Sequence, residues 1–176
     1  MKVCILNSSP RYGGNCDVLC QQFAKGAEDA GHAVERINLR EKELHPCLGC
    51  YGCRNTHVCV RKDDMQDILP KLIEADVIVL ASPVYFYSAS AQMKMMIDRC
   101  VANHKAIAGK QFYFIVTAAA SEHEAADGTL AAFRGFLRCL PDAEEKGIIY
   151  GTDAWEKGDI YELDAFKEAY QTGLHL

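Results

Sequence analysis

The chain has no G-x-G-x-x-G dinucleotide fingerprint and no loop ending in G-K-[ST], so the two commonest nucleotide-phosphate cradles are excluded. It has no excess of basic residues: 19 Lys and Arg against 24 Asp and Glu give a formal net charge of −5. With no basic stripe either, general nucleic-acid binding is excluded. Long hydrophobic runs are missing; the apolar stretches are strand-sized, and Met1-Lys2-Val3 opens directly into one. Neither a signal peptide nor a membrane span is therefore expected, and the reading is a cytoplasmic protein with no membrane partner. Repeats, low-complexity tracts and long linkers are also lacking, so 176 residues are read as one domain, 1–176.

What is present begins with Asn7-Ser8-Ser9-Pro10-Arg11-Tyr12-Gly13-Gly14-Asn15-Cys16. It follows the apolar run Val3-Cys4-Ile5-Leu6 and precedes a helical pattern of Val18, Leu19, Phe23 and Ala27. A strand, a Ser/Gly/Arg loop and a helix start aim backbone amides and the positive end of a helix dipole at one point. Ser8 and Ser9 add hydroxyls, Arg11 adds a planar cation suited to phosphate oxygens, and Gly13 and Gly14 allow close backbone approach. The pattern points to a phosphate monoester. The plainer alternative is a βα turn with Asn15 as helix cap.

Further along, Gly31 marks a stop and His32–Leu39 alternates as a half-buried strand. Asp63-Asp64 is placed to cap a short helix bearing Met65, Ile68 and Leu69, with Pro70 expected to restart it so that Leu72 and Ile73 face inward. Asp76–Ala81 reads as a parallel strand buried on both faces. A loop over Ser82–Ser88 leads to a helix whose Met93, Met96, Ile97, Cys100 and Val101 form one apolar stripe, the methionines acting as core filler. Strands at Gln111–Val116 and Gly147–Tyr150 and helices near Thr129–Leu140 and Glu162–Thr172 complete the chain. Five strands alternating with helices predict an α/β fold: a doubly wound, five-stranded parallel sheet of flavodoxin-like order 2-1-3-4-5, with helices on both faces. In that order the phosphate loop and the loop after strand three open at the same mouth.

Ser82-Pro83-Val84-Tyr85-Phe86-Tyr87 suits a flat heterocycle such as an isoalloxazine, with Pro83 fixing the turn and aromatics walling the ring. The same aromatics also suit a patch packed against another subunit. Together with Asn7–Cys16, the segment Ser82–Phe86 resembles the NADPH-dependent FMN reductase family, as do Ser90-Ala91-Gln92-Met93-Lys94 through Ile97-Asp98-Arg99 and the tail Tyr150-Gly151 to Trp155–Ile160. The resemblance implies a flavodoxin-like fold, bound FMN and a homodimer or homotetramer. It assigns Ser9, Arg11, Asn15 and Cys16 to the FMN phosphate, Pro83, Val84, Tyr85 and Phe86 to the ribityl chain and ring, and Thr117 and Ala118 to the pyrimidine end; Gly14, by allowing close backbone approach, joins the cofactor-binding set. There are two departures from the family: Cys16 stands where serine is usual, a weaker donor, and Ala118-Ala119-Ala120 stands where glycine is common.

Nine cysteines make an odd count that a complete disulfide framework does not use, and Cys4, Cys100 and Cys139 read as small buried hydrophobes. Four others, Cys47-x2-Cys50-x2-Cys53-x5-Cys59, fall in a loop insertion at about 45–62, with Gly49 and Gly52 making room for tight turns. Three thiolates at this spacing can wrap a cubane and a returning loop can add the fourth, the arrangement of a [4Fe-4S] cluster. Zinc and free thiols are the other readings. His57 is read as a solvated loop residue. The compact motif resembles the iron–sulfur flavoproteins, a branch of the same fold, and implies a cluster beside FMN. Three functions then stand: an NAD(P)H-dependent flavin reductase, an electron-transfer flavoprotein fed by a ferredoxin-like partner, and a binding module in which FMN or zinc is structural. Under the first two the chain is an FMN-dependent oxidoreductase whose chemistry is flavin-based, with no catalytic side chain. Arg36, Arg40 and Lys42 read either as a nucleotide-phosphate attractor or as a solvated face.

Overall fold

The computed structural model describes residues 1–176. The strands are β1 (Lys2–Asn7), β2 (Ala33–Asn38), β3 (Val77–Tyr85), β4 (Ser88–Ala89), β5 (Gln111–Thr117) and β6 (Glu144–Gly151). The helices are α1 (Asn15–Asp29), α2 (Met65–Glu74), α3 (Ala91–Arg99), α4 (Asp127–Leu137) and α5 (Asp164–Leu174). Five strands pair in parallel in the order β2-β1-β3-β5-β6. This is the expected 2-1-3-4-5 order once the two-residue β4, which pairs antiparallel with β3 alone, is set aside. The fold is flavodoxin-like α/β.

Residue alternation decides which side each helix covers. Val3, Ile5, Val77, Val79, Ala81, Ile115 and Ile149 point to one face and pack with Leu19, Phe23 and Ala27 of α1 and Ala165 and Ala169 of α5. Cys4, Leu6, Ile78, Leu80, Phe112, Phe114 and Val116 point to the other face, against α2, α3 and α4. A central strand with both neighbours covered reads apolar on both faces, which is why β1 from Val3 onward and β3 as far as Pro83 are buried at every residue while edge strand β2 alternates. No helix is long and apolar enough to cross a membrane.

Several local expectations are corrected. The Ser82–Ser88 segment is not a free loop: β3 runs on to Tyr85 and folds back through Phe86-Tyr87 into β4. Pro70 does not restart a helix; it lies inside the continuous α2. Pro70 and Gln66 both face outward, so water can serve the carbonyl that a proline leaves without a donor. Val101 leaves the apolar stripe and is 53% exposed, because α3 ends at Arg99 and the chain tightens into a 3₁₀ turn over Cys100–Ala102. Met93, Met96 and Cys100 are buried as expected. Cys139 is exposed rather than buried, since α4 stops at Leu137.

Candidate functional site

The β1–α1 connection is held by its own polar side chains. Asn7, at the end of β1, donates from Nδ2 to Asp17 Oδ1 at 2.9 Å and to Asn38 Oδ1 at 3.2 Å, while its Oδ1 accepts from the Ser9 amide at 3.0 Å. Ser9 Oγ accepts from the Arg11 amide at 3.3 Å. The helix cap that the plainer alternative put at Asn15 is Gly14 instead, and Asn15 is the first residue of α1. Intrahelical bonding starts at the Val18 amide, which donates to Gly14 O, so the amides of Asn15, Cys16 and Asp17 have no intrahelical acceptor and form the anion-seeking end of α1. Gly13 has φ +60°, and a Cβ at Gly14 would meet Arg11 Cβ at 2.9 Å, so both positions favour glycine for the turn's own geometry, a reason different from the ligand approach expected of them. The Arg11 side chain is exposed and makes no bond within the protein.

Two other placements differ in kind from the sequence reading. Ser8 Oγ does not face the mouth: it donates to Ala81 O at 2.9 Å and accepts from Ser90 Oγ at 2.8 Å, lacing the phosphate loop to β3 and the start of α3. The Asn15 side chain is occupied by the tail loop, donating to Ala154 O and Glu156 O and accepting from the Gly158 amide at 3.0 Å. Cys16 is 2% exposed, with Sγ 3.7 Å from Asn7 Oδ1. Hydrogen bonding with Cys20, together with burial, pushes its thiol well above the ordinary value. Its thiol therefore faces the interior, and the group it can turn to an anion is its amide.

The β3 side supplies Pro83, buried, Val84, half-buried, and Tyr85, exposed. Phe86 and Tyr87 form a two-residue hairpin tip at φ +48° and +58°, a conformation usually given to Asn or Gly. The tip rests on α4 so closely that a Cβ on Gly128 would lie 2.0 Å from Tyr87 O. Thr117 ends β5 beside Cys16 and Ala118 follows it, both buried, and Ala118 exchanges backbone bonds with Gly151 and Ala154.

Asp17, Ser90 and Lys157 at this mouth have no role in the sequence reading, and Arg40 is placed differently from it. Asp17 is the hub: besides Asn7 it accepts from the Gly13 amide at 2.9 Å and pairs with Arg36 at 2.8 Å and Arg40 at 3.5 Å. Arg40, its side chain 8% exposed, stacks 3.9 Å above the Tyr12 ring, so it supports the loop rather than facing solvent. Ser90 caps α3, accepting from the Met93 amide. Lys157, on the tail loop that Asn15 holds, brings its Nζ to 3.2 Å from where a Gly13 Cβ would stand. An acidic residue in the first turn of α1 was a readable signal for Asp17; no pattern in sequence brings Lys157 to residue 13.

The cysteine segment lies between a 3₁₀ turn at Leu39–Glu41 and α2 and contains no helix or strand. Cys47 and Cys50 are exposed, whereas Cys53 and Cys59 are half-buried and pack on the core. All four line a single cavity of about 260 Å³ together with Arg61, Arg99 and Val101. Four thiols facing one cavity fit an iron–sulfur cluster, or zinc, in number and kind of donor. They are not drawn together: no three Cys, His, Asp or Glu side chains converge at metal-binding distance. His57 is exposed, as read. Arg99 joins the segment to α3, donating to Cys59 Sγ at 3.3 Å, to His45 O at 2.7 Å and to both oxygens of Asp63. Burial alone would raise the Asp63 carboxyl, but Arg99 and the amides of His45 and Met65 outweigh it and hold it at about 2.

An iron–sulfur flavoprotein of Methanocaldococcus jannaschii is 44% identical over 99 residues, covering 56% of this chain and 51% of that one. An iron–sulfur flavoprotein of Methanosarcina thermophila is 36% identical over 101 residues, covering 57% and 53%. The matched segment spans about half the length of these curated relatives. Among solved structures, an NAD(P)H:quinone oxidoreductase from Methanothermobacter marburgensis superposes with a TM-score of 0.76 at 17% identity, covering 99% of this chain and 95% of that one, a likeness of fold. Residues 1–141 match the family described as NADPH-dependent FMN reductase, and the chain belongs to that family.

Proposed function

We propose that the chain is an FMN-dependent oxidoreductase of the electron-transfer type, with FMN at the β1/β3 mouth and a [4Fe-4S] cluster held by Cys47, Cys50, Cys53 and Cys59. The observation that carries it is the convergence of two loops at one strand edge, fastened by the Ser90–Ser8–Ala81 hydrogen-bond chain. On this reading the amides of Asn15, Cys16 and Asp17, the Arg11 guanidinium and the Lys157 ammonium receive the phosphate. Ser9 and Gly14 shape that turn, Pro83, Val84, Tyr85 and Phe86 line the ribityl chain and ring, and Thr117 and Ala118 border its pyrimidine end. FMN, when bound, supplies the exchange between hydride and single-electron chemistry. The chain orients the ring and limits access to it; no side chain is given an acid or base role.

The donor on this reading is NADH, NADPH or a ferredoxin-like protein, and the chain acts in the cytoplasm as a single domain, 1–176. The fully exposed Phe86 at the mouth suits a homodimer or homotetramer in which a second copy covers the ring. A reductase without a cluster is the second reading, favoured by the four thiols standing apart. Iron, zinc, acid-labile sulfide and FMN per chain, on protein purified without oxygen, decide between them. Four irons and four sulfides with one FMN support the cluster reading. FMN alone supports the second reading, and absence of flavin after reconstitution overturns both.

A further inference from the structure

Arg99 is the only lysine or arginine among the buried residues, at 1% exposure. It sits three residues after Met96 on the inward side of α3, where a methionine or leucine would pack without desolvating a charge. Asp63 offsets the charge through a two-pronged pair, Nη1–Oδ2 at 2.6 Å and Nη2–Oδ1 at 2.9 Å. The remaining donors turn to the cysteine segment. Nη1 reaches His45 O, before the first cysteine, and Nη2 reaches Cys59 Sγ, the last. Nε is buried with no partner. Arg99 also lines the cavity that all four cysteines line. A buried donor without an acceptor is costly unless something brings one.

We infer that Arg99 is a positioning residue for a thiolate-held centre in that cavity: it fixes Cys59, pins both ends of the segment, and donates N–H bonds to sulfur when the centre forms. The inference rests on the cluster reading above. Because Asp63 cancels the charge of Arg99, the influence on the centre runs through hydrogen bonds to sulfur, which favour the more negative, reduced state and so raise its potential.

The test uses the full-length, FMN-loaded chain, reconstituted anaerobically with ferrous iron and sulfide. Iron release to a chelator and the midpoint potential of the cluster, followed by electron paramagnetic resonance, are compared between the parent and Arg99→Lys. Lysine keeps a charge for Asp63 but loses the planar fork. A lower midpoint potential and iron release at least about threefold faster are expected, with FMN content unchanged. Equal potential and equal release overturn the role of Arg99 while leaving the cluster reading intact. A parent chain that takes up no iron overturns the cluster reading, and the inference with it. If Arg99→Lys does not fold, the pair Arg99→Gln with Asp63→Asn removes both charges together, and its iron release decides by the same criterion. If both variants lose helical signal and FMN, Arg99 is a folding element and the inference is overturned.

Discussion

The phosphate loop and the cysteine segment follow neighbouring strands, β1 and β2, at the same end of the sheet, yet they are held in opposite ways. In the first, Asn7, Ser8, Ser9, Asn15 and Asp17 all have protein partners, and the free groups are those that would meet an anion. In the second, the chain is fastened at its ends, by Arg99 and Asp63, while Cys47 and Cys50 stand in solvent. Tyr51 and His57 there adopt positive φ, at 58° and 57°. A site of the first kind binds with little ordering cost, because folding has already placed its donors. A site of the second kind acquires its shape from what it binds, as metal sites commonly do.

Removing the hub of the prebuilt region should have the largest effect. Asp17→Ala leaves Arg36 and Arg40 without their shared carboxylate, frees the Gly13 amide and leaves Asn7 Nδ2 with Asn38 alone. We expect a loss of about 3 kcal/mol in urea unfolding at pH 7, the cost of breaking a buried pair on one side. A loss below about 1 kcal/mol, the range of an exposed ion pair, would mean that the loop is not held from within.

The corresponding lever on the cysteine segment is acid. Asp63 has a folded-state value of about 2, below its ordinary 3.8. Its contribution is therefore complete above the ordinary value and drains away as pH falls towards 2, by ~2 kcal/mol in all. Unfolding free energy measured from pH 5 to pH 2 should show this slope in the parent. Asp63→Asn should start lower and fall less steeply, with proteolysis within 45–62 already enhanced at pH 7. Identical slopes would place the clamp elsewhere.

The hairpin tip belongs to the prebuilt side and lies in close approach to α4 at Gly128. Gly128→Ala puts a methyl 2.0 Å from Tyr87 O, a backbone atom that cannot swing aside. We expect ~1.5 kcal/mol of destabilisation, a fall of about 4 °C in thermal midpoint, and weaker FMN binding as the tip is displaced. An unchanged midpoint would show that the tip yields freely and that Phe86 and Tyr87 are not held for a ligand.

The sequence made one of these regions more readable than the other. Strand, glycine-bearing turn and helix start are local patterns, so the phosphate loop could be placed on its residues, and the apolar runs of β1 and β3 fixed the sheet around it. Partners far apart in sequence could not be read in the same way. Ser8 looked like a ligand donor because its bond to Ser90 spans 82 residues, and Asn15 because its acceptors lie about 140 residues away. The cysteine spacing was visible at once, but not that Arg99 would enter the same cavity. The strongest clue was present and passed over: a charged residue on the buried side of an apolar helix needs a partner, and Asp63 is the first acid after the cysteines.

Lys157 tests where the prebuilt region ends. Its loop is fixed by three bonds to the Asn15 side chain, but Lys157 itself is exposed, with its ammonium beside the phosphate loop at Gly13. An exposed ammonium contributes modestly to binding a phosphate, and salt screens it. Lys157→Ala should weaken FMN binding by about threefold at low salt, with the difference fading near 0.5 M salt, and should leave riboflavin, which has no phosphate, unaffected. Flavin fluorescence titrations provide the measurement. Equal losses for FMN and riboflavin would show that residue 157 acts by holding the tail loop, in which case Asn15→Ala should reproduce the effect. A loss confined to FMN would extend the anion site across 140 residues of chain, from a turn that sequence could read to a cation that only the fold brings there.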